Sequence, residues 1–231
     1  GSGLRQNLDF KDIKRMPILI PPPEEQNRII KYIRGTTAEI SRFIRGKLRL
    51  IELLKEQKQA IINRAVTRGL DPDVPLKPSG IAWLGDIPEH WEVRRLRYLG
   101  TKFGSGVTPR GGATVYQDSG IPLLRSQNIH FDGLRLYDVA FISEEIHKNM
   151  ATSHVAPGDV LLNITGASIG RVCAVPYTLS EGNVNQHVCI IRPIVELILS
   201  EFLAFFISTP FIQREIYTTQ KNSKYLELFS L

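Results

Sequence analysis

The sequence has few cysteines and no long run of apolar residues. Only two of its 231 residues are cysteines, Cys173 and Cys189. Two are too few for a disulfide framework, so a reducing, cytoplasmic compartment is expected. The uninterrupted apolar runs are short, and the sequence therefore predicts no membrane-spanning helix. It also lacks C-x-x-C and H-E-x-x-H motifs, so neither a metal site nor a cofactor is expected.

The excess positive charge of the chain is confined to one segment. The formal net charge is +6, and residues 23–69 hold 11 Lys and Arg against 5 Asp and Glu, whereas residues 70–231 hold 14 against 16. A uniformly basic surface is therefore not what would bring this protein to nucleic acid. With 42% hydrophobic and 23% charged residues, the composition is that of a folded globular protein.

A long helix is predicted over residues 24–68. Three prolines, at 21–23, lead into it and Gly69 follows it, as is typical of the two ends of a helix. Apolar residues recur inside it at alternating steps of three and four, which predicts coiled-coil packing. A single helix cannot bury its own apolar stripe, so a partner helix is expected. The stripe residues expected to pair with it are Ile33, Ile40, Ile44, Ile51, Leu54 and Ile61.

Two glycines, Gly35 and Gly46, interrupt this predicted helix. Each lowers helix stability by about 1 kcal/mol relative to alanine. Two interpretations stay open, a slightly loose helix or close approach by the backbone of another molecule.

Beyond the helix the sequence pattern changes. Residues 69–80 contain three prolines and no periodicity, which predicts a stiff linker. Short β-like runs follow, with a short helix from Ser143 to Met150 and a helical stretch over 197–217 that is interrupted near Pro210. The predicted fold class is α+β, a mixed domain attached to one long coiled-coil-forming helix. The predicted strands are 120–124, 139–142, 159–164, 171–175 and 187–192.

One catalytic motif matches by its letters alone. Residues 166–170, Gly-Ala-Ser-Ile-Gly, fit the G-x-S-x-G nucleophile elbow, which joins a strand to a helix. The residues that follow are β-branched and end in proline, and the acid and histidine would have to be Glu181 and His187. A β-turn that exposes Thr165 and Ser168 is therefore favoured over a serine hydrolase. The glycine-rich stretch 104–112 lacks the P-loop order and predicts a mobile loop. No catalytic residue is predicted.

Several segments, in their order along the chain, resemble the specificity subunit of type I restriction–modification systems. Leu-Ile-Pro-Pro-Pro-Glu-Glu-Gln at 19–26 opens the long helix, and Ile-Pro-Glu-His-Trp-Glu at 87–92 follows the linker. These two are the more specific motifs, and the resemblance covers nearly the whole chain. The remaining matching segments are 105–110, 120–129, 157–161, 166–170 and 185–187.

The resemblance implies a non-catalytic DNA-reading scaffold. In this family each target recognition domain reads half of a split DNA site, and long helices pack antiparallel as a spacer. Those helices dock modification subunits, which carry the adenine methyltransferase chemistry and through which the restriction subunit joins. The implied partners of this chain are double-stranded DNA and those subunits.

The resemblance also implies a division of the chain into domains. Residues 1–22 resemble the closing segment of a preceding recognition domain, 23–69 the spacer helix, 70–80 a linker and 81–231 one recognition domain. A complete family member has two of each, so a half subunit or a fragment is expected. Two copies are expected to pair antiparallel through the helix, with residues 4–20 of one completing the recognition domain of the other.

Four polar clusters beside glycines are candidates for DNA contact, because Arg, Asn, Gln, Ser and Thr read base edges and phosphates. Each also has a structural interpretation, as solvated loop residues, turn residues or braces between loops. Trp83 and Trp91 are expected to be packing anchors. The candidates are Lys102, Ser105, Thr108 and Arg110; Arg125, Ser126, Gln127 and Asn128; Thr165, Ser168 and Arg171; and Asn185, Gln186 and His187.

The basic residues of the helix have three interpretations. They form a solvated face, a face for an acidic surface of a modification subunit, or a face for the DNA between half-sites, and the protein partner is favoured. An alternative for the whole chain is a coiled-coil interaction protein whose recognition domain no longer reads DNA. The helix residues concerned are Arg28, Lys31, Arg34, Arg42, Arg45 and Arg49.

Overall fold

A computed structural model describes residues 10–221 of the chain. The chain divides into two compact units, residues 1–56 and residues 57–231. This division falls inside the long helix, whereas the predicted domain bounds were placed at its ends, and those bounds remain a prediction. The first nine residues of the proposed closing segment, 1–9, lie outside the described residues.

Five helices and twelve strands make up the described structure. The helices are α1 (Phe10–Ile13), α2 (Pro23–Arg68), α3 (Glu144–Asn149), α4 (Ser200–Ile207) and α5 (Pro210–Lys221). The first six strands are β1 (Leu76–Pro78), β2 (Asp86–Pro88), β3 (Gly100–Ser105), β4 (Ile121–Leu124), β5 (Ile129–His130) and β6 (Gly133–Leu134). The others are β7 (Ala140–Ile142), β8 (His154–Val155), β9 (Val160–Asn163), β10 (Val172–Ala174), β11 (Gly182–Val184) and β12 (Val188–Pro193). Short 3-10 turns occupy Leu96–Tyr98, Gly112–Val115, Ser126–Asn128 and Ala151–Ser153.

The predicted long helix is confirmed, since α2 runs for 46 residues. Glu24 and Glu25 lie in its first turn, where negative charge interacts favourably with the helix dipole. The helix ends at Arg68, and Gly69 follows it with a left-handed φ of 78° and an N–H that donates to the carbonyl of Ala65 at 3.1 Å. Among the described residues, no helix combines the length and the hydrophobicity needed to cross a membrane.

Two four-stranded sheets form the body of residues 57–231. The first has the order β10-β9-β12-β3 and is antiparallel throughout. The second has the order β7-β4-β11-β8, in which β4 and β11 run parallel. Leu161 and Ile190 of the first sheet pack with Leu124 and Val184 of the second, so the main core lies between the two sheets.

Helices cover the outer faces of both sheets. Val160 and Leu162, on either side of Leu161 in β9, pack against Leu203 and Ile207 of α4. Successive side chains of a strand point to opposite faces of the sheet, so β9 is buried on both of its faces. On the second sheet, a separate cluster of Ile121, Leu123, Ala140, Ile142 and Met150 includes Ile146 of α3 at its margin.

The five predicted strands and the short predicted helix of this domain are confirmed, with shifts of one residue at their ends. The helical stretch predicted over 197–217 begins three residues later and ends four residues later. The Ser143 hydroxyl accepts a hydrogen bond from the Ile146 N–H at 3.3 Å and caps α3. The interruption near Pro210 separates α4 from α5. Trp83 stacks on Phe211 and Trp91 meets Phe202 edge-on, so both tryptophans are packing residues.

Seven of the twelve described strands were not predicted, namely β1, β2, β3, β5, β6, β8 and β11. Two of them lie in segments for which the sequence predicted a different structure. Residues 76–78 of the predicted linker form β1, which pairs with β2 and is aligned Lys77 to Ile87. Gly104 and Ser105, predicted as part of a mobile loop, belong to the six-residue strand β3. Neither β1 nor β3 was predicted, because both contain glycine or proline, which have low intrinsic strand propensity. Pairing with β2 and β12 stabilises them instead.

Candidate nucleic-acid interface

Four of the predicted polar clusters are carried by segments that meet at one edge of the two sheets. In the first sheet, β3 ends at Ser105 opposite Cys189, and β9 ends at Asn163 opposite Val188. In the second, β4 and β11 run parallel and end together. The segments that leave this edge are 105–110, 125–128, 164–171 and 185–187.

A chain of hydrogen bonds joins three of these segments. The Thr108 hydroxyl contacts the Gln186 side-chain carbonyl. The Gln186 amide nitrogen lies 3.0 Å from Nε2 of His187, and His187 Nδ1 lies 2.6 Å from the Thr165 hydroxyl. The amide donates to Nε2, so a neutral His187 carries its proton on Nδ1 and donates to Thr165. Thr108, Thr165 and Gln186 are exposed, and His187 is half-buried.

The fourth segment is attached through Asn163. Its side-chain nitrogen donates to the Ser168 hydroxyl at 3.0 Å and to the Ser126 carbonyl at 2.8 Å. Asn163 is fully buried, and its side-chain oxygen has no hydrogen-bond partner among the described residues. We call the surface formed by Thr108, Thr165, Ser168, Gln186 and His187 the polar edge.

Glycine allows the close approach on which this arrangement depends. The N–H of Gly106 donates to the Val188 carbonyl at 3.1 Å. A Cβ at position 106 would lie 1.9 Å from the carbonyl oxygen of Val184, so any other residue would push segment 105–110 away from segment 185–187. Gly106 is therefore required where segment 105–110 meets segment 185–187.

Residues 166–170 form the predicted β-turn between β9 and β10. Gly166 and Gly170 have φ of 77° and 85°, and a strand follows the turn, so the turn is not a nucleophile elbow. Ser168 is hydrogen-bonded to Asn163.

Helix α5 braces this turn from outside. The Gln213 amide donates to the Gly170 carbonyl at 2.8 Å, and the Tyr217 hydroxyl donates to the Ile169 carbonyl at 3.1 Å. Neither residue was predicted to be part of the site. The one sequence signal for them was their place in the helix predicted over 197–217, because each contact joins positions more than forty residues apart.

Three predicted contact residues are used inside the domain instead. Lys102 donates to the His154 carbonyl at 2.9 Å, and desolvation, then the nearby Arg192, lowers its pKa. Asn128 is buried and donates to the carbonyls of Arg135 and Asp138. Asn185 is buried too, and its side chain accepts from the His187 N–H at 3.2 Å. Since these side chains brace loops, we leave them out of the proposed contact surface.

The remaining candidates surround the polar edge. Arg125 and Gln127 are tied to Asp138, through its carbonyl at 3.3 Å and its carboxylate at 2.7 Å. The Nε atom of Arg125 is buried and has no hydrogen-bond partner among the described residues. Ser126 and Arg171 are half-buried, and Ser105 and Arg110 are exposed.

The chain is similar in sequence to specificity subunits of type I restriction enzymes. The MjaVIII specificity subunit of Methanocaldococcus jannaschii is 26% identical over 170 residues, which cover 74% of this chain and 37% of that protein. The EcoBI specificity subunit of Escherichia coli is 26% identical over 223 residues, 94% of this chain and 46% of that protein. The chain thus spans less than half the length of these curated relatives. The predicted resemblance is confirmed.

Solved structures of such subunits are similar at a lower level. The HsdS subunit from Thermoanaerobacter tengcongensis aligns with 86% of this chain and 44% of its own, with a TM-score of 0.44 and 15% identity. The S subunit from M. genitalium aligns with 97% of this chain and 52% of its own, with a TM-score of 0.49 and 13% identity. No family model matches the chain.

Proposed function

We propose that this chain is a DNA sequence-specificity subunit that reads one half of a split target with its polar edge. The convergence of Thr108, Thr165, Ser168, Gln186 and His187 at one exposed edge carries this proposal. Side chains that are held in a fixed relative geometry are what base discrimination requires.

The chemistry of the polar edge suits both parts of DNA recognition. An amide such as that of Gln186 matches adenine, and the hydroxyls of Thr108 and Thr165 bond to bases or phosphates. Arg110 and Arg171 beside the edge supply the positive charge that phosphates require. Register on the duplex would come from the arginines and base choice from the side chains of the polar edge.

The contacts of Ser168 and His187 support a non-catalytic role. Ser168 bonds to Asn163, whereas His187 bonds to Thr165 and Gln186. The serine of the G-x-S-x-G motif is therefore not coupled to a general base, which nucleophilic catalysis needs. We propose that a modification subunit supplies the adenine methyltransferase chemistry and links the chain to the restriction subunit.

Helix α2 is the proposed docking element for that subunit. Ile33, Ile40 and Ile44 of its stripe are 52%, 53% and 51% exposed. Apolar side chains at coiled-coil spacing are stabilised by packing against another helix. We propose that a modification subunit, a second antiparallel copy of this chain, or both, cover this stripe.

Adenine methylation across the genome tests the reading function. Cells that express the chain with its modification subunit should gain methylation at a new interrupted motif, and a symmetric motif would indicate a homodimer. Thr165→Ala and Gln186→Ala should relax or abolish the motif, whereas Thr178→Ala, an exposed threonine at the far end of β10, should leave it unchanged. Loss of the motif in none or in all three variants would refute the assignment to the polar edge.

Pairing through the helix is tested by light scattering of the chain alone. A dimer is expected at about tens of micromolar, because several half-exposed apolar side chains per helix would be buried on pairing. Ile40→Asp with Ile44→Asp should give a monomer, and Leu70→Asp, at an exposed leucine outside the stripe, should not. A wild-type monomer at that concentration would contradict the homodimer.

The exposed stripe also favours a second candidate, a coiled-coil interaction protein that no longer reads DNA. It predicts normal assembly with partner subunits together with duplex binding that is independent of sequence. Binding of a target duplex that persists at high salt would argue against it, since purely electrostatic binding falls steeply with salt.

A further inference from the structure

Helix α2 concentrates positive charge on one face. Residues 28–49 contain seven Lys and Arg but only one acidic residue, Glu39. Six of the seven cations share a face, because they recur at steps of three, four or eight residues along a helix of 3.6 residues per turn. This face lies opposite the stripe that contains Ile33, Ile40 and Ile44. We call it the basic face, and its members are Arg28, Lys31, Arg34, Arg42, Arg45 and Arg49.

The charge of the basic face is almost unneutralised. All six side chains are exposed, and among the described residues only Arg49 has an ion pair, with Glu52 at 3.2 Å. The face extends for about 32 Å along the helix, at a rise of about 1.5 Å per residue. Cations in such a row repel one another unless an anion approaches them.

The two helix glycines lie beside this face, not on the apolar stripe. Gly35 is four residues after Lys31, and Gly46 is four residues after Arg42, so each glycine neighbours a cation. Among the described residues, no atom other than those of the adjoining helix backbone and the two chain neighbours lies within 4 Å of the position that a Cβ would take at either glycine. At Gly35 the helix surface has a shallow groove of about 350 Å³, which is lined by Arg28 and Lys31 and also by Glu39. Packing within the chain does not explain these glycines, which favours close approach by another backbone.

We propose that the basic face of α2 binds the sugar–phosphate backbone of double-stranded DNA, with Gly35 and Gly46 admitting that backbone close to the helix. A polypeptide backbone is neutral, whereas a nucleic-acid backbone carries one negative charge per nucleotide. Cations that flank a point of close backbone approach therefore match DNA. Five of the six cations are arginines, which suits phosphate oxygens because guanidinium groups bond them bidentately.

This contact would be independent of sequence and separate from the polar edge. The sequence had favoured an acidic protein surface as the partner of these basic residues. The proposed contact replaces that partner with DNA. An acidic protein surface explains the charge but gives no reason for Gly35 and Gly46 on the same side of the helix. The contact goes beyond the proposed function, since it would hold even if the polar edge did not discriminate bases.

The salt dependence of binding to a short duplex of arbitrary sequence tests the proposal. The full-length triple variant Arg34→Gln, Arg42→Gln and Arg45→Gln removes three charges from the basic face. The control Lys55→Gln, Arg64→Gln and Lys77→Gln removes three charges elsewhere. The slope of log K against log salt is negative, and fluorescence anisotropy should show that it becomes less steep by about 2.7 in the first triple variant, at about 0.9 per lost phosphate contact. The control should keep the wild-type slope.

A second pair of variants tests the close approach itself. Gly35→Gln with Gly46→Gln introduces good helix formers into open space, so the melting temperature of the helix should rise. Duplex binding should nevertheless weaken several-fold, because the new side chains would keep the phosphates away. Unchanged binding would show that no close approach occurs.

Two outcomes overturn the proposal. Equal changes of slope in both triples would mean that the effect is general to the charge of the chain. If the triple variant of Arg34, Arg42 and Arg45 binds the duplex as the wild type does but no longer assembles with the modification subunit, the basic face binds an acidic protein surface instead. Failure of the polar edge has a different signature, since sequence preference would be missing while the salt slope stayed intact.

Discussion

In residues 57–231 the leucines and isoleucines of the two four-stranded sheets are buried, whereas in residues 1–56 those of α2 are about half exposed. Leu124, Leu161 and Ile190 have no exposed surface, but Ile33, Ile40 and Ile44 each expose about half of theirs. The two regions use the same residue types, at a period of two in one and of three to four in the other. The strands find partners in their own unit, and the helix stripe finds none among the described residues.

This difference indicates two kinds of stability. The sheets close a core of their own, so their folding should depend little on protein concentration. An isolated helix gains little from burial, and most helical stability in proteins comes from tertiary packing. The stripe of α2 should therefore contribute to stability only when another helix covers it.

Leu161→Ala should give the largest loss of stability. It leaves a cavity between the two sheets, and such changes lower the free energy of unfolding by about 3–4 kcal/mol. Ile40→Ala should change it by less than about 0.5 kcal/mol when the chain is dilute, because that side chain is half exposed. Urea unfolding followed by tryptophan fluorescence measures the difference, since Trp83 and Trp91 lie in residues 57–231. Comparable losses in both variants would remove the contrast between the regions.

Arg192→Met should cost somewhat less. Arg192 binds both carboxylate oxygens of Asp159 at 2.7 and 2.8 Å, and the Asp159 side chain is 1% exposed. Its removal would leave a buried charge unpaired and lower the free energy of unfolding by about 2–3 kcal/mol, slightly below the range for fully buried pairs because Arg192 is partly exposed. Arg94→Met breaks the exposed pair with Glu92 and should cost less than about 0.5 kcal/mol. The same urea titration checks both variants, and a larger loss for Arg94→Met would contradict this ranking.

Replacing two glycines by alanine should change the stability of the protein in opposite directions. Gly69 has a φ of 78°, a conformation that destabilises an L-residue by roughly 1 kcal/mol, so Gly69→Ala should lower stability. Gly35 is inside the helix with open space around it, so Gly35→Ala should stabilise the helix by up to about 1 kcal/mol. Thermal melting followed by circular dichroism gives both signs. Stabilisation by both changes would mean that the helix does not end before Gly69.

Alkylation of Cys173 should report opening of the sheets alone. Burial raises the pKa of Cys173 to about 12, so the reactive thiolate is nearly absent near neutral pH. In a Cys189→Ala background, labelling should be slow until residues 57–231 unfold. Rapid labelling under native conditions would show that the first sheet opens readily.

The same thiol predicts that stability decreases at alkaline pH. The folded pKa lies above the unfolded value of 9.0, so the folded state retains the proton more strongly. The stability that this proton provides is complete below about pH 9 and is lost as the pH rises toward 12. Cys173→Ala should remove this part of the alkaline loss, which urea titrations at increasing pH would measure.

Local signals were sufficient for much of the fold. The Pro–Glu–Glu start and Gly69 predicted both ends of α2, and short β-like runs predicted β4, β9 and β12 to within one residue. Seven of the described strands were missed. Among them, β1 and β3 have proline- and glycine-containing sequences that form strands through pairing with β2 and β12.

The candidate site was predicted as residue types but not as an arrangement. The sequence identified Thr108, Thr165 and Gln186, which the structure joins through His187. It also selected Lys102 and Asn128, whose hydrogen bonds inside the domain depend on the position of other loops. Gln213 and Tyr217 remained unrecognised, since their role depends on where α5 packs.

By itself the sequence determined the long helix, its apolar stripe, its basic face and the period of each strand, because these follow from spacing along a regular backbone. Only the tertiary structure decided which polar segments meet at the polar edge and which polar side chains form hydrogen bonds that hold loops inside the domain. It also decided that no other segment of the described chain packs against the helix glycines. Those outcomes depend on contacts between residues far apart in the chain, and spacing along a strand or helix carries no information about them.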